Sequence, residues 1–181
     1  MKFDPAFLTG VYVIGLDPII DERGWFARTY CKNEFSKIGH DKEWVQFNHS
    51  FTGKQGTIRG MHFQMPPFSE RKLVRCIAGA VFDVVVDLRA GSADFLKWFG
   101  VELSANNKKM IYIPEGFAHG FQTLSDDTEL LYHHTQVYTP GSEGGTRYND
   151  KRINIDWPLP LTGISERDNN HPLLDNDFKG I

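Results

Sequence analysis

Residues 72–88 read KLVRCIAGAVFDVVVDL, and this stretch decides the fold. Two runs rich in β-branched residues, Lys72–Ala78 and Val81–Leu88, are each too short for a stable helix and are separated by the small pair Gly79-Ala80. They read as two strands joined by a hairpin turn. The pattern continues outward. Upstream, Gly10–Leu16 alternates and is β-branched, and Trp25–Tyr30 follows the turn Asp21-Glu22-Arg23-Gly24. Trp44–Phe51 is extended, and Thr57–Gln64 follows the loop at Gly53–Gly56. Downstream come Phe95–Leu103, Lys109–Ile113, Phe117–Leu124 and Thr128–Tyr138, the last two joined by the turn cluster Ser125-Asp126-Asp127. Asn33–Gly39 reads as a short helix with Asn33 as N-cap and Gly39 as its stop. The tail from Pro140, rich in Gly, Pro, Asn and Asp, predicts loops and short helical turns wrapped on the outside. About ten strands at short, regular spacing predict an all-β, antiparallel sandwich or barrel, with residues 1–181 as a single domain.

Composition narrows the function classes. The chain has 181 residues, 40% apolar and 24% charged, as in an ordinary globular protein with a sizeable core. A net charge of -3 gives no ground for a nucleic-acid or membrane partner, yet leaves room for a basic pocket that takes a small anion. Cys31 and Cys76 are distant and form no CxxC, so both are expected as free thiols. The polar start, Met1–Asp4, does not read as a signal peptide. The longest apolar run, Ala78–Val86, is broken by Gly79 and Asp83. A cytoplasmic location is expected.

Two segments carry chemistry. In the strand around RGMHFQ, Arg59–Gln64, alternation sets Arg59, Met61 and Phe63 on one face and Gly60, His62 and Gln64 on the other. Arg59 would then share a pocket with His62 only from the strand start or through a bulge. PEGFAHGF, Pro114–Phe121, matches the PxGxxH pattern of the second cupin motif. In the first cupin motif, G-x5-H-x-H-x3,4-E-x6-G, His62 takes the first His position but Gln64 takes the second. Only His62 and His119 then remain as ligands, too few for a tightly held transition metal. A cupin-like jelly-roll β-barrel without a metal is therefore expected, with His62 free to act as a base.

A family resemblance joins these segments. DERGWF (21–26), GTIRGMHFQ (56–64), RKLVRC (71–76), VDLR (86–89), PEGFAHGF (114–121), LYHHTQVY (131–138), IDWP (155–158) and SERD (165–168) occur in this order. Over roughly residues 1–175 the chain resembles the dTDP-4-dehydrorhamnose 3,5-epimerase family: cofactor-free, homodimeric epimerases of nucleotide-linked 4-keto-6-deoxy sugars. That chemistry needs a base, a stabiliser of the enolate and an acid on the opposite face. The resemblance implies His62 as base, Asp168 as its orienting carboxylate, Lys72 as the cation near O4 with His119 beside it, and Tyr132 as the acid. It implies Arg59 and Arg23 on the diphosphate, with Arg23 and Phe26 reaching the partner subunit's site. It further implies Tyr138 stacked on the base, and Gln46, Asn48, Glu143 and Arg167 as further substrate contacts.

Taken singly, each residue has a plainer reading: His62 a core histidine, Lys72 a surface lysine, Tyr132 a core or rim tyrosine, Asp168 a solvated charge. Two positions depart from the rhamnose-pathway pattern, Arg28 where members carry an acid and Phe47 where Asp is common. The leading expectation is conversion of dTDP-4-dehydro-6-deoxy-glucose to dTDP-4-dehydro-L-rhamnose. The alternatives are C3-only or C5-only epimerisation, or a CDP- or GDP-linked sugar. A metal-dependent cupin enzyme and a sugar-nucleotide-binding module without turnover are the rivals from other classes.

Overall fold

The computed structural model describes residues 1–181 and contains thirteen strands and two short α-helices. The strands are β1 (Lys2–Pro5), β2 (Tyr12–Gly15), β3 (Ile19–Asp21), β4 (Gly24–Phe26), β5 (Gln46–Thr52), β6 (Ile58–Gln64) and β7 (Lys72–Ala78), followed by β8 (Ala80–Asp87), β9 (Trp98–Ser104), β10 (Lys109–Ile113), β11 (Phe117–Thr123), β12 (Thr128–His134) and β13 (Glu143–Gly145). A six-stranded sheet, β1-β2-β10-β7-β12-β5, and a five-stranded sheet, β13-β6-β11-β8-β9, pair antiparallel throughout and form the two layers of a cupin-like jelly roll.

The deciding stretch folds as two strands but not as a hairpin. β7 pairs with β10 and β12, whereas β8 pairs with β11 and β9, in the other sheet. Gly79 is the corner between the layers. Its φ is +69°, and a Cβ there would lie 2.5 Å from Thr128 Oγ1, so only glycine passes. Ser125–Asp127 makes the same change of layer between β11 and β12.

Both faces of β8 are covered, which is why it reads as a nearly continuous apolar run. Val81 and Val85 face inward with Val74, Cys76, Ile111, Phe117, Phe121 and Leu130 between the sheets. Val84 and Val86 face outward, under Ile153, Trp157, Leu174 and Phe178 of the tail. On the other side, Phe35, fully buried, plugs Ile14, Leu73, Met110 and Tyr112. Phe35 ends α1 (Lys32–Phe35), which runs on as one 3-10 turn, Ser36–Ile38. Gly39 stops it as expected, but the N-cap is Cys31; Asn33 lies within the helix.

Other boundaries also differ from expectation. The expected strand Trp25–Tyr30 stops at Phe26, because β4 pairs only with the three-residue β3. β1, β3 and β13 were invisible to patterning, being three or four residues long at sheet edges or in an exposed hairpin. The tail carries α2 (Glu166–Asn169), capped by Ser165, whose Oγ accepts from the Asp168 amide. Both cysteines are free thiols. No helix is long and apolar enough to cross a membrane.

Candidate active site

One end of the space between the sheets stays open as a cavity of about 610 Å³. Its walls come from β5, β7 and β12 on one side and β6 and β11 on the other, with α2 at the rim. His62, Lys72, His119, Tyr132, Asp168, Arg59, Asn48 and Arg167 all line it. A smaller recess of about 220 Å³ continues from it and adds Gln46, Tyr138 and Glu143, sharing His62, Lys72, Asn48 and Arg167 with the larger one.

The conflict of strand faces resolves through a bulge. His119 pairs with His62, but Phe121, two residues on, pairs with Arg59, three residues back. β6 therefore carries one extra residue against β11, and Arg59 turns to the same cavity as His62. The close approach rests on Gly60, where a Cβ would lie 2.5 Å from Gly120 Cα.

Asp168 is buried in the rim and holds His62. Its Oδ1 accepts from His62 Nε2 at 2.8 Å, and its Oδ2 accepts from the Gly60 amide at 2.9 Å. Burial acts upward on this carboxyl, but the hydrogen bond and charge of His62, the Gly60 amide and Arg167 outweigh it and hold it well below the usual carboxylate range. Burial pulls His62 below its ordinary value, against the upward pull of Asp168. At neutral pH the imidazole is therefore an uncharged base. With Nε2–H donated to the carboxylate, Nδ1 carries the lone pair.

Tyr132 sits on β12, its hydroxyl 3.0 Å from Ser50 Oγ, and burial pushes the phenol to about 12. It is protonated across the working range and can only give a proton. Lys72, the expected surface lysine on the plainer reading, is 8% exposed. Its Nζ lies 3.2 Å from Glu70 Oε1, and Glu70 Oε2 lies 2.7 Å from His134 Nδ1. Burial acts upward on Glu70, but His134 and Lys72 outweigh it and keep it ionised. His119 lies 2.9 Å from the fully buried Asp83, whose carboxyl burial pushes up against the pull of that imidazole.

Around the opening, Arg59 Nη1 donates to Phe51 O and Thr52 Oγ1 at 3.3 Å. Gln46 Oε1 accepts from the Tyr138 amide at 2.9 Å, Gln46 Nε2 donates to Asn48 Oδ1 at 3.2 Å, and Tyr138 Oη donates to Glu143 Oε2 at 2.9 Å. Arg167 Nη1 lies 3.4 Å from Glu143 Oε1. Gln64, at the second metal-histidine position of the cupin motif, is a bracket: its Oε1 accepts from the Thr139 amide and Ser142 Oγ, both at 3.1 Å.

Arg23 and Phe26 stand apart. They lie on the β3–β4 hairpin with Trp25, outside the cavity of their own chain, and Arg23 is paired to Asp21.

The family model described as dTDP-4-dehydrorhamnose 3,5-epimerase matches residues 5–176. The chain belongs to this family. It is an isomerase of the epimerase type. It is 48% identical over 167 residues to the dTDP-4-dehydrorhamnose 3,5-epimerase of Salmonella typhimurium, spanning 90% of this chain and 91% of that protein. To the dTDP-4-dehydrorhamnose 3-epimerase of Streptomyces niveus it is 37% identical over 175 residues, 96% of this chain and 84% of that one. It superposes with TM-score 0.92 on the Bacillus anthracis dTDP-4-dehydrorhamnose 3,5-epimerase crystallised with TDP and PPi, at 37% identity over 96% of this chain and 99% of that one.

Several side chains of this family member's site escaped the sequence reading. Glu70 and His134 complete the buried network on Lys72, Asp83 backs His119, and Ser50 meets Tyr132. His134 was legible in principle: it lies two residues from Tyr132 and so faces the same side of β12. Asp83, an acid in the middle of an apolar strand, carried a signal too, since a fully buried carboxylate needs a partner.

Proposed function

We propose that the chain epimerises C3 and C5 of a nucleotide-linked 4-keto-6-deoxy sugar, converting dTDP-4-dehydro-6-deoxy-glucose to dTDP-4-dehydro-L-rhamnose. The observation that carries this reading is the uncharged His62, braced by buried Asp168, in one cavity with the protonated Tyr132 and the Lys72 cation. His62 takes the proton from the carbon beside the ketone. Charge moves onto O4, where the Lys72 ammonium, with His119 near it, stabilises the enolate. Tyr132 returns a proton to the other face of the same carbon, and His62 and Tyr132 exchange protons with solvent before the next step. These residues suffice for the chemistry, so no cofactor is assigned. Arg59 clamps the diphosphate, Tyr138 stacks on the base, and Gln46, Asn48, Glu143 and Arg167 complete the substrate contacts.

The same reading takes residues 1–181 as one domain and the protein as a homodimer. Arg23 and Phe26 then reach the partner subunit's site, which accords with an exposed apolar hairpin in which Phe26 is 72% exposed. Two free cysteines suit a reducing, cytoplasmic setting. A CDP- or GDP-linked substrate is the second reading; it rests on Arg28 and Phe47 departing from the rhamnose-pathway pattern, and Arg28 itself is paired with Glu34 at 2.9 Å and lines neither the cavity nor its recess. C3-only epimerisation accords with the likeness to the Streptomyces niveus 3-epimerase.

His62→Ala tests the base. Turnover should vanish while nucleotide binding, measured calorimetrically, stays near wild type; wild-type turnover contradicts the assignment. Tyr132→Phe should lose product yet still exchange substrate protons with solvent, and normal product formation would remove Tyr132 from the acid role.

A further inference from the structure

Asp168 Oδ1 is the meeting point of three side chains. His62 Nε2 lies 2.8 Å from it, Arg167 Nε 3.2 Å and His171 Nε2 3.7 Å. The donor atoms of His62, Asp168 and His171 all fall within 4.8 Å of one another. Of the three residues, His171 alone lacks a partner: its Nε2 is buried and makes no hydrogen bond. Such an atom costs free energy unless something meets it. Its ring packs so closely on Gly145 that a Cβ there would sit 2.3 Å from His171 Cε1. Arg147 Nε donates to its carbonyl at 3.1 Å, fixing the backbone as well.

Two imidazoles and a carboxylate form a donor set that suits divalent transition ions, zinc above all. Bonds of about 2.0–2.2 Å set tetrahedral ligand atoms about 3.3–3.6 Å apart. The observed separations to Asp168 Oδ1, 2.8 and 3.7 Å, bracket that spacing. The place already attracts positive charge, because the Arg167 guanidinium reaches His62 Nε2 at 3.1 Å and Asp168 Oδ1 at 3.2 Å. That guanidinium is mostly exposed and has Glu143 as its other pair, so it is free to swing aside. His62 and His171 both border the smaller recess, which leaves a fourth position to water.

The geometry points to His62, Asp168 and His171 as a three-ligand site for a divalent transition-metal ion of the zinc class, with His171 the ligand added to the base-carboxylate pair. The ion takes the place of the Nε2 proton between His62 and Asp168 and displaces Arg167; the imidazole then carries its proton on Nδ1, the base's lone pair is occupied, and the epimerase is inhibited. The inhibition rests on the assignment of His62 as base; the binding does not.

The test is calorimetric titration of Zn²⁺ into the EDTA-dialysed full chain, with Co²⁺ absorption reporting coordination. One equivalent should bind, with a tetrahedral Co²⁺ spectrum, and turnover should fall with occupancy and return with chelator. His171→Asn should weaken binding at least about tenfold, and Arg167→Gln should tighten it. Absence of saturable binding overturns the proposal, as does equal affinity in wild type and His171→Asn. If His171→Asn proves unfolded by its metal-free melting curve, Arg167→Gln decides, since an ion held elsewhere gains nothing from losing that guanidinium. His171-dependent binding in a chain that turns over no 4-keto sugar would keep the metal site and remove the base assignment.

Discussion

Asp168 does two jobs whose pH signs can be worked out. Its hydrogen bond and charge pull the His62 pKa upward, though burial keeps it below the ordinary value. The acid limb of kcat/KM should therefore have its midpoint below about 6.5, and no basic limb from Tyr132 should appear until pH nears about 12. Asp168→Asn removes the upward pull, so the acid limb should move to lower pH while the rate falls about ten- to a thousandfold. A limb that stays put, seen in pH-rate profiles of both proteins, would make Asp168 a bystander. The stability sign is separate. Asp168 is depressed in the folded state, so its contribution is present above the unfolded value, about 3.9, and is lost as pH falls through the folded value. Acid titration of folding should be shallower in Asp168→Asn. Across the cavity, Glu70 and His134 hold Lys72 in place. Glu70→Gln should lower kcat about tenfold or more with little change in KM if Lys72 acts only on the developing O4 charge. A rise in KM alone, from steady-state kinetics, would move Lys72 to ground-state binding.

At the level of strands, the sequence reading went furthest where a segment is long and buried. β7 and β10 fell on their expected residues, β6, β11 and β12 lay within the expected segments, and β5 ran one residue past the end of its own. Pairing was not legible. Gly79-Ala80 looks like a hairpin turn because local sequence reports that the chain bends, not which sheet it enters next. The bulge in β6 was similarly open: alternation named the conflict between Arg59 and His62, and only the register against β11 resolved it. Both glycines give predictions at this level. Gly79→Ala should destabilise by more than about 1 kcal/mol in chemical denaturation, since φ is +69° and the new Cβ meets Thr128. Gly60→Ala should cost activity beyond its cost in stability, because the obstacle is the Gly120 backbone and the displaced amide is the one bound to Asp168. A folded Gly60→Ala protein with full turnover would contradict the account of how Asp168 is seated.

For the whole molecule, the jelly roll explains why catalytic candidates so far apart in sequence meet. Strands that alternate between layers bring His62, Lys72, His119 and Tyr132 to one cavity mouth, and the tail delivers Asp168 from outside to close it. The resemblance supplied the residue roles; composition and spacing by themselves supplied only an all-β fold and two unusual histidines. Arg23 and Phe26 lie on their own hairpin away from the cavity, and only the proposed dimer would bring them to a site, that of the partner subunit. Phe26→Asp should yield monomers by sedimentation and raise KM for the nucleotide sugar. A dimer with unchanged KM would leave the β3–β4 hairpin without that role.

In the proposed reaction one base and one acid, on opposite sides of a 4-keto sugar, invert both neighbouring carbons. Proton NMR of dTDP-4-keto-6-deoxyglucose with the enzyme in D2O reads this directly. Deuterium should enter at both C3 and C5, dependent on His62. Deuterium at one carbon alone would contradict the double inversion, and none at either would contradict the assignment of this substrate.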